Sequence, residues 1–216
     1  DGRTGELLMD PDEETLKVYR AKQKELTKRR KMLAELKGKP SVSKDGRRVK
    51  ICCNIGSPDD IPFVKENDGE GIGLFRSEFL YLGCSDYPTE DYQFEAYKKV
   101  LEEMAPKEVI IRTMDIGADK QIDYFKMPHE ENPALGMRAL RISLTRPDVF
   151  RTQLRALFRA SAYGKLGIMF PMVASVWEVR DAKAACEKVK EELRAECIPF
   201  DEKTYIGIMI ETPAAA

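Results

Sequence analysis

The sequence predicts an α/β protein in which helices cover a parallel sheet, arranged either as a barrel or as a doubly wound sheet. Two observations predict this class. After Lys39, short apolar runs alternate with longer stretches of helical character, which is the pattern of repeated strand–helix–strand units. Three of the apolar runs also end in a charged residue, as expected where parallel strands open onto a binding face.

The first element is a helix predicted over residues 11–38. Asp-Pro-Asp-Glu-Glu at 10–14 is typical of a helix start, and Gly38 and Pro40 indicate its end. Between Glu14 and Gly38 there are nine Lys or Arg and three Glu residues, a local charge of +6. The apolar residues form one narrow stripe at heptad-like spacing. The basic surface is therefore either a solvated face or a docking site for phosphate or protein.

The remaining elements follow the alternation in order. Helices are predicted over 58–67, 90–104, 147–163 and 175–195. The stretch between the second strand and the helix at 90 is predicted to begin as a loop. Six strands are predicted, over 49–55, 71–75, 108–113, 137–142, 166–173 and 204–210.

Candidate binding residues follow three of these strands: Arg76, Arg112 and Glu211. A buried charge is costly unless it is paired, but such residues are common where strand ends build a site. Arginine binds phosphate or carboxylate with two parallel hydrogen bonds, and a carboxylate can hold a divalent cation that bridges to the same anion. One hypothesis is therefore chemistry on a small phosphorylated anion with Mg²⁺. The alternative is a set of ordinary ion pairs at strand ends.

Composition excludes several classes of protein. With 36 basic and 37 acidic residues among 216, the net charge of −1 excludes a uniformly basic nucleic-acid binder. No apolar run approaches the roughly 20 residues of a membrane span, so membrane insertion is not expected. The single histidine, His129, lies in a polar loop and is expected to be solvated. The five cysteines are Cys52, Cys53, Cys84, Cys186 and Cys197, and no two of them form a CxxC pair. This pattern indicates neither a disulfide framework nor a zinc site, and it favours reduced thiols in a cytoplasmic protein.

Long motifs then identify a resemblance. In order along the chain they are GIGLFRSEFL at 71–80, IRTMDIGADK at 111–120, ENPALGMRALRI at 131–142, GIMFPM at 167–172 and GIMIETPAAA at 207–216. Together they resemble the enzyme I family of the bacterial phosphoenolpyruvate (PEP)-dependent sugar phosphotransferase system. Pyruvate phosphate dikinase and PEP synthase belong to the same wider group of PEP-utilising enzymes.

The resemblance implies a fold and a domain organisation. Residues 1–10 would end a swivelling phosphohistidine domain, 11–38 would be the linker helix, and 39–216 would form part of a PEP-binding (β/α)₈ TIM-type barrel. About 170 residues follow Arg48, against roughly 250 in a typical barrel, so the barrel is expected to be truncated after about six strands. Unpaired strand edges would then favour oligomerisation, and the family forms homodimers through this half.

The resemblance also implies an activity and a site. Enzyme I transfers the phosphoryl group of PEP to a histidine of its own, and then to the carrier protein HPr for sugar uptake, leaving pyruvate. Arg76 and Arg112 match two PEP-binding arginines, and Glu211 matches one of two Mg²⁺ ligands. Arg138 and Lys120 match basic positions near the site.

Several parts of the family's machinery have no match here. They are the phosphorylated histidine, the second Mg²⁺ ligand, a further arginine and a cysteine that protonates the enolate. No catalytic residue is therefore expected within residues 1–216, and this chain alone is expected to be inactive. Two alternatives stay open: part of a dikinase or synthase, and an anion-binding module without catalytic activity.

Overall fold

The computed structural model describes residues 1–118, 120 and 122–216, which form two compact units, 1–48 and 49–216. The first unit is built on one helix, α1 (Glu13–Ala34). Asp12 caps it by accepting a hydrogen bond from the Thr15 N–H at 2.8 Å, and acidic residues occupy its first turn, next to the positive end of the helix dipole. No residue of α1 is buried, so its basic side chains face solvent.

The second unit contains one five-stranded sheet, and every adjacent pair of strands in it is parallel. Its strands are β1 (Cys53–Ile55), β2 (Ile72–Arg76), β3 (Glu108–Arg112), β4 (Lys165–Phe170) and β5 (Tyr205–Ile208). The helices are α2 (Ile61–Glu66), α3 (Glu78–Leu82), α4 (Glu90–Met104), α5 (Leu140–Thr145), α6 (Pro147–Ser161) and α7 (Val176–Ala195). Short 3₁₀ turns occur at Pro58–Asp60, Asp123–Phe125 and Pro213–Ala215.

The order of the strands decides between the two predicted arrangements. It is β1-β2-β3-β4-β5, so each strand pairs with its neighbour in sequence. A doubly wound sheet reverses its strand order at a switch point, whereas a TIM-type barrel proceeds in one direction. The α/β prediction is therefore confirmed, and the sheet is part of a TIM-type barrel. Because the strands are parallel, their carboxyl ends meet at one edge.

The core lies between the sheet and the helices α4, α6 and α7. Phe75 of β2 contacts Tyr97 of α4 edge to face, with ring centroids 5.8 Å apart, and Phe150 of α6 contacts Phe170 of β4 at 6.0 Å. All four side chains are buried. Because aromatic pairs add to the free energy of apolar burial, these contacts fix the outer helices against the strands.

The predicted fourth strand, 137–142, is wrong. Its second half belongs to helix α5, so the described sheet has five strands and the predicted sixth strand is β5. Ala139 precedes the helix with a positive φ of 51°, which breaks any extended run. The Ser143 and Thr145 hydroxyls then donate to carbonyls four residues earlier, at Ala139 and Arg141. A six-residue segment that mixes apolar residues with Arg138 and Arg141 does not distinguish a strand from a helix by periodicity.

Several boundaries also differ from expectation: α1 ends at Ala34 and not at residue 38, and β4 and β5 end at Phe170 and Ile208 and not at residues 173 and 210. Strand β1 has only three residues, because the side chains of Val49 and Ile51 are exposed and do not join the core. After β2, the expected loop begins with α3, a short helix that starts at Glu78. This turn buries Glu78 directly behind the strand end, where it contributes to the site.

Candidate functional site

The candidate site is built around Arg112, the last residue of β3. Its side chain is held in the interior, and the residue is 8% exposed. Nη2 donates to Oε1 of Glu78 at 2.6 Å, and Nη1 lies 3.0 Å from Oδ2 of Asp115. Nη1 also lies 3.7 Å from the sulfur of Met209, just beyond β5. The arginine therefore spans the carboxyl ends of three strands.

Two buried carboxylates and two further cations complete this cluster. Glu78 and Asp115 are 3% and 6% exposed. Arg138 Nη2 lies 3.0 Å from Oδ1 of Asp115. Lys120 Nζ lies 3.5 Å from Glu78 and donates to the Asp115 carbonyl at 2.6 Å. Arg112, Arg138 and Lys120 therefore gather at the strand ends, around the buried carboxylates of Glu78 and Asp115. We name these five residues the inner cluster.

Polar atoms of this region are left without partners. Among the described residues, Nε of Arg112, Oε2 of Glu78 and Oγ1 of Thr113 are buried and make no hydrogen bond. Such atoms are rare in native proteins, because burial without a partner costs about 1–3 kcal/mol. Their concentration at one strand end is typical of a binding site.

Arg76 ends β2, and its Cα pairs in register with that of Arg112. The structure therefore brings two of the three candidate residues to adjacent positions on the sheet edge. Their environments differ, since Arg76 is exposed. Its guanidinium carbon lies over the ring of Phe79, 5.1 Å from the centroid. This contact orients the charge without neutralising it.

Glu211, the third candidate, lies beyond β5 on the same edge. Its Oε1 accepts the Met172 N–H at 2.7 Å, and the neighbouring Thr212 hydroxyl donates to the Val173 carbonyl at 2.5 Å. The segment after β5 is therefore tied to the segment after β4. In the described part of the chain, no ion pair joins Glu211 to Arg76 or Arg112.

The capacity of the site for a metal ion follows from its donors. Among the residues that the structure describes, no group of three or more His, Cys, Asp or Glu side chains is arranged to hold a metal ion. Mg²⁺ commonly keeps several waters and takes one or two carboxylates plus phosphate oxygens. The exposed carboxylate of Glu211 fits that pattern as one ligand, with the others coming from solvent and a bound phosphate.

A buried polar chain supports the two strand ends from behind. Ser77 Oγ donates to the Arg112 carbonyl at 2.7 Å, and Gln153 Nε2 donates to Ser77 Oγ at 3.0 Å. Gln153 also contacts Tyr97, whose hydroxyl donates to Gln93 at 3.2 Å. Sequence reasoning missed these residues. A signal existed for Gln153, which falls at helical spacing among the apolar residues of α6.

The remaining predictions concern solvent exposure and membranes. His129 is exposed, as expected for a polar loop residue. Across the described residues, no helix combines the length and apolar character that crossing a membrane requires. The five cysteines are unpaired in the structure.

Comparison with protein families gives one match that covers most of the chain. The family described as "PEP-utilising enzyme, PEP-binding domain" matches residues 30–216. This range includes the inner cluster, Arg76 and Glu211. It also includes the last five residues of α1, so the match extends beyond the α/β unit.

Curated relatives align with all 216 residues. Proteins named phosphoenolpyruvate-protein phosphotransferase are 49% identical in Staphylococcus carnosus and in Priestia megaterium, and 48% identical in Bacillus subtilis. Each alignment covers 100% of this chain and 38% of the relative. The chain therefore spans little more than a third of the length of these relatives.

Proposed function

We propose that this chain, which belongs to the PEP-utilising enzyme, PEP-binding domain family, forms the PEP-binding part of a phosphoenolpyruvate-protein phosphotransferase. The observation that carries the proposal is the inner cluster. It holds Arg112 in place at a parallel strand end, beside two further cations, and among the described residues the buried Nε of Arg112 and Oγ1 of Thr113 make no hydrogen bond. A small molecule that carries two anionic groups, such as PEP with its phosphate and its carboxylate, is the complementary ligand.

The two strand-end arginines would bind the same phosphate in different ways. Arg112 is pre-oriented by Glu78 and Asp115, so it loses little conformational entropy when it binds the phosphate. Arg76 is exposed and can close onto the same phosphate. Both would stabilise the charge that develops as the phosphoryl group leaves the enol oxygen. Such transfer depends mainly on positioning and electrostatics.

Mg²⁺ would supply charge neutralisation at the phosphate, with Glu211 as one ligand. The Met172 amide holds Oε1 of that carboxylate at 2.7 Å, which fixes its position on the sheet edge. Lys120 and Arg138 would add positive charge around the anion. Both already contact Asp115, so they would act at the rim of the inner cluster.

The names of the relatives describe transfer of a phosphoryl group from PEP to a protein. The resemblance to enzyme I implies the steps of the whole reaction. The phosphoryl group would pass from PEP to a histidine outside these 216 residues, then to HPr, and pyruvate would be released. The relatives' names support this reading over a dikinase or a synthase. The chain contributes binding and charge in this scheme, and no catalytic residue is assigned to it.

The test is a titration of the 216-residue chain with PEP, with and without Mg²⁺, followed by NMR so that weak binding is detected. We expect Mg²⁺-dependent shifts that saturate, and an affinity at least about tenfold weaker in Arg76→Gln. Because Arg76 is exposed, this variant should keep its free energy of unfolding within about 0.5 kcal/mol of the original. The matched control is Arg180→Gln on α7, another exposed arginine, which lies over the ring of Trp177 at 4.6 Å. Absence of saturable PEP binding by the original chain would contradict the proposal.

Two further proposals concern assembly and location. We propose a homodimer, supported by the large exposed side chains Tyr205 and Ile210 at and beside the edge strand β5. Light scattering of a concentrated sample should give twice the chain mass, and a monomer would contradict it. We also propose a cytoplasmic location, supported by five unpaired cysteines, which fractionation of the source cells would test.

A further inference from the structure

Gln153 is a polar side chain in an apolar setting. It lies on α6 and is 1% exposed, between the buried side chains of Phe150, Leu154 and Leu157. Burying an amide in such surroundings is unfavourable unless its hydrogen bonds are made. A leucine or methionine would fill the same space without that requirement. The amide therefore has a role beyond packing.

Its hydrogen bonds connect the two strand ends that carry the arginines. Oε1 accepts the N–H of Met114 at 2.9 Å, two residues after Arg112. Nε2 donates to Ser77 Oγ at 3.0 Å and to the Tyr97 hydroxyl at 3.2 Å. Ser77 in turn donates to the Arg112 carbonyl at 2.7 Å. One planar amide thus fixes the segment after β2 relative to the segment after β3.

The direction of the hydrogen bonds suits this task. The Ser77 and Tyr97 hydroxyls give their protons to the Arg112 carbonyl and to Gln93, which leaves both oxygens as acceptors. Gln153 supplies both missing donors from one nitrogen. Burial raises the pKa of Tyr97 above its ordinary value of 10, so its hydroxyl keeps its proton.

We propose that Gln153 is a positioning residue for the PEP site: it sets the spacing between the segments 76–78 and 112–115. These segments hold Arg76, Glu78, Arg112 and Asp115. A shift of either segment changes how the two guanidinium groups converge on one phosphate. The proposal rests on the proposed function, since it names what orients that site.

The test compares two buried variants that remove different parts of the chain of hydrogen bonds. Gln153→Met keeps the side-chain volume and removes all three bonds. Tyr97→Phe removes the bonds of Tyr97 to Gln153 and Gln93 but leaves Gln153 joined to both strand ends. We expect Gln153→Met to weaken PEP binding about tenfold, as loss of a supporting residue does at other sites. Tyr97→Phe should stay within about twofold.

Unfolding by urea, measured on both variants, separates positioning from stability. Ser77→Ala is the second probe, because it removes one hydroxyl and breaks the link from Gln153 to the Arg112 carbonyl. Ser77→Ala should weaken PEP binding no more than Gln153→Met does. The variant with both substitutions should bind PEP no more weakly than Gln153→Met alone, because both substitutions break the same link.

The outcomes are distinct. The positioning role would be overturned if Gln153→Met and Tyr97→Phe lost equal PEP affinity and also lost equal free energy of unfolding. Unchanged affinity in Gln153→Met and in Ser77→Ala would do the same. Failure of the original chain to bind PEP would instead overturn the proposed function, before any variant is compared.

Discussion

Two buried arginines of the α/β unit, Arg112 and Arg155, differ in how completely they are satisfied. They are 8% and 6% exposed, so burial does not separate them. Each of the three guanidinium nitrogens of Arg155 donates to a carboxylate, on Glu90, Glu192 or Glu196. In Arg112, by contrast, Nε has no partner among the described residues.

The carboxylates around each arginine also differ in exposure. Arg155 belongs to a group that we name the outer cluster, in which three arginines of α6 contact four carboxylates: Arg151, Arg155 and Arg159 with Glu90, Asp91, Glu192 and Glu196. The side chains of the carboxylates that contact Arg155 are 23–47% exposed, whereas those of Glu78 and Asp115, which contact Arg112, are 4% and 9% exposed. Every guanidinium nitrogen of Arg155 has an acceptor, whereas Nε of Arg112 has none among the described residues and is available to a ligand. This contrast favours a binding site over ordinary strand-end ion pairs.

The largest expected difference between the two clusters is in the free energy of unfolding that their arginines contribute. Arg112→Met leaves Glu78 in a water-excluded place without its 2.6 Å partner, so we expect a loss of about 3 kcal/mol in the free energy of unfolding. Arg155→Met should lose only about 1–2 kcal/mol, because its carboxylates reach solvent. Urea unfolding of both variants measures this. An equal or larger loss in Arg155→Met would contradict the comparison.

Ligand affinity should separate the clusters next. Arg112→Lys keeps the charge but loses the planar, forked donor, so PEP binding should weaken at least about tenfold, equivalent to about 1.4 kcal/mol. Arg155→Lys makes the same change in the outer cluster and should leave affinity within about twofold. Titration of both variants with PEP and Mg²⁺ is the measurement, and a shared loss would indicate an indirect effect.

The smallest effect is expected in the pH dependence of stability. The hydrogen bond from Arg151 lowers the pKa of Glu192 in the outer cluster below its ordinary value of 4.5. The folded state therefore binds fewer protons, and stability present above that value is lost as the pH falls through the lowered pKa. Glu192→Gln should flatten the decline between about pH 5 and pH 3 by less than about 1 kcal/mol. The control is Glu191→Gln, an exposed neighbour on α7. Matching acid profiles in the original chain and Glu192→Gln would contradict the coupling.

Much of the fold could be predicted because it depends on local pattern. The helix Glu90–Met104 has the predicted limits, and alternating strands and helices indicated a parallel sheet. The segment 137–142 could not be predicted in this way, since so short a mixture of apolar residues and arginines fits either state. Its outcome depends on Ala139, whose N–H donates to the Ile116 carbonyl at 2.9 Å, a contact distant in sequence.

From the residues alone, the candidate site could be predicted only where charge interrupts an apolar run, and Arg138 and Lys120 were added only by the resemblance. Arg76, Arg112 and Glu211 follow strands, so their types and positions indicated a binding edge. Glu78 lies in a segment that was expected to be a loop, and Asp115 lies outside every predicted helix and strand; acidic residues in such positions usually face water. Their burial depends on tertiary packing around the arginine, since a buried guanidinium requires carboxylates.

The sequential pairing of the strands has a consequence for how the protein forms. Each strand meets the one that precedes it in the chain, so adding a strand closes only the loop that contains the intervening helices. The entropy of loop closure grows slowly with loop length, so the longest connection, from Arg112 of β3 to Lys165 of β4, costs only slightly more than the shorter ones. The sheet can therefore assemble one strand at a time, from the amino end, as the chain leaves the ribosome.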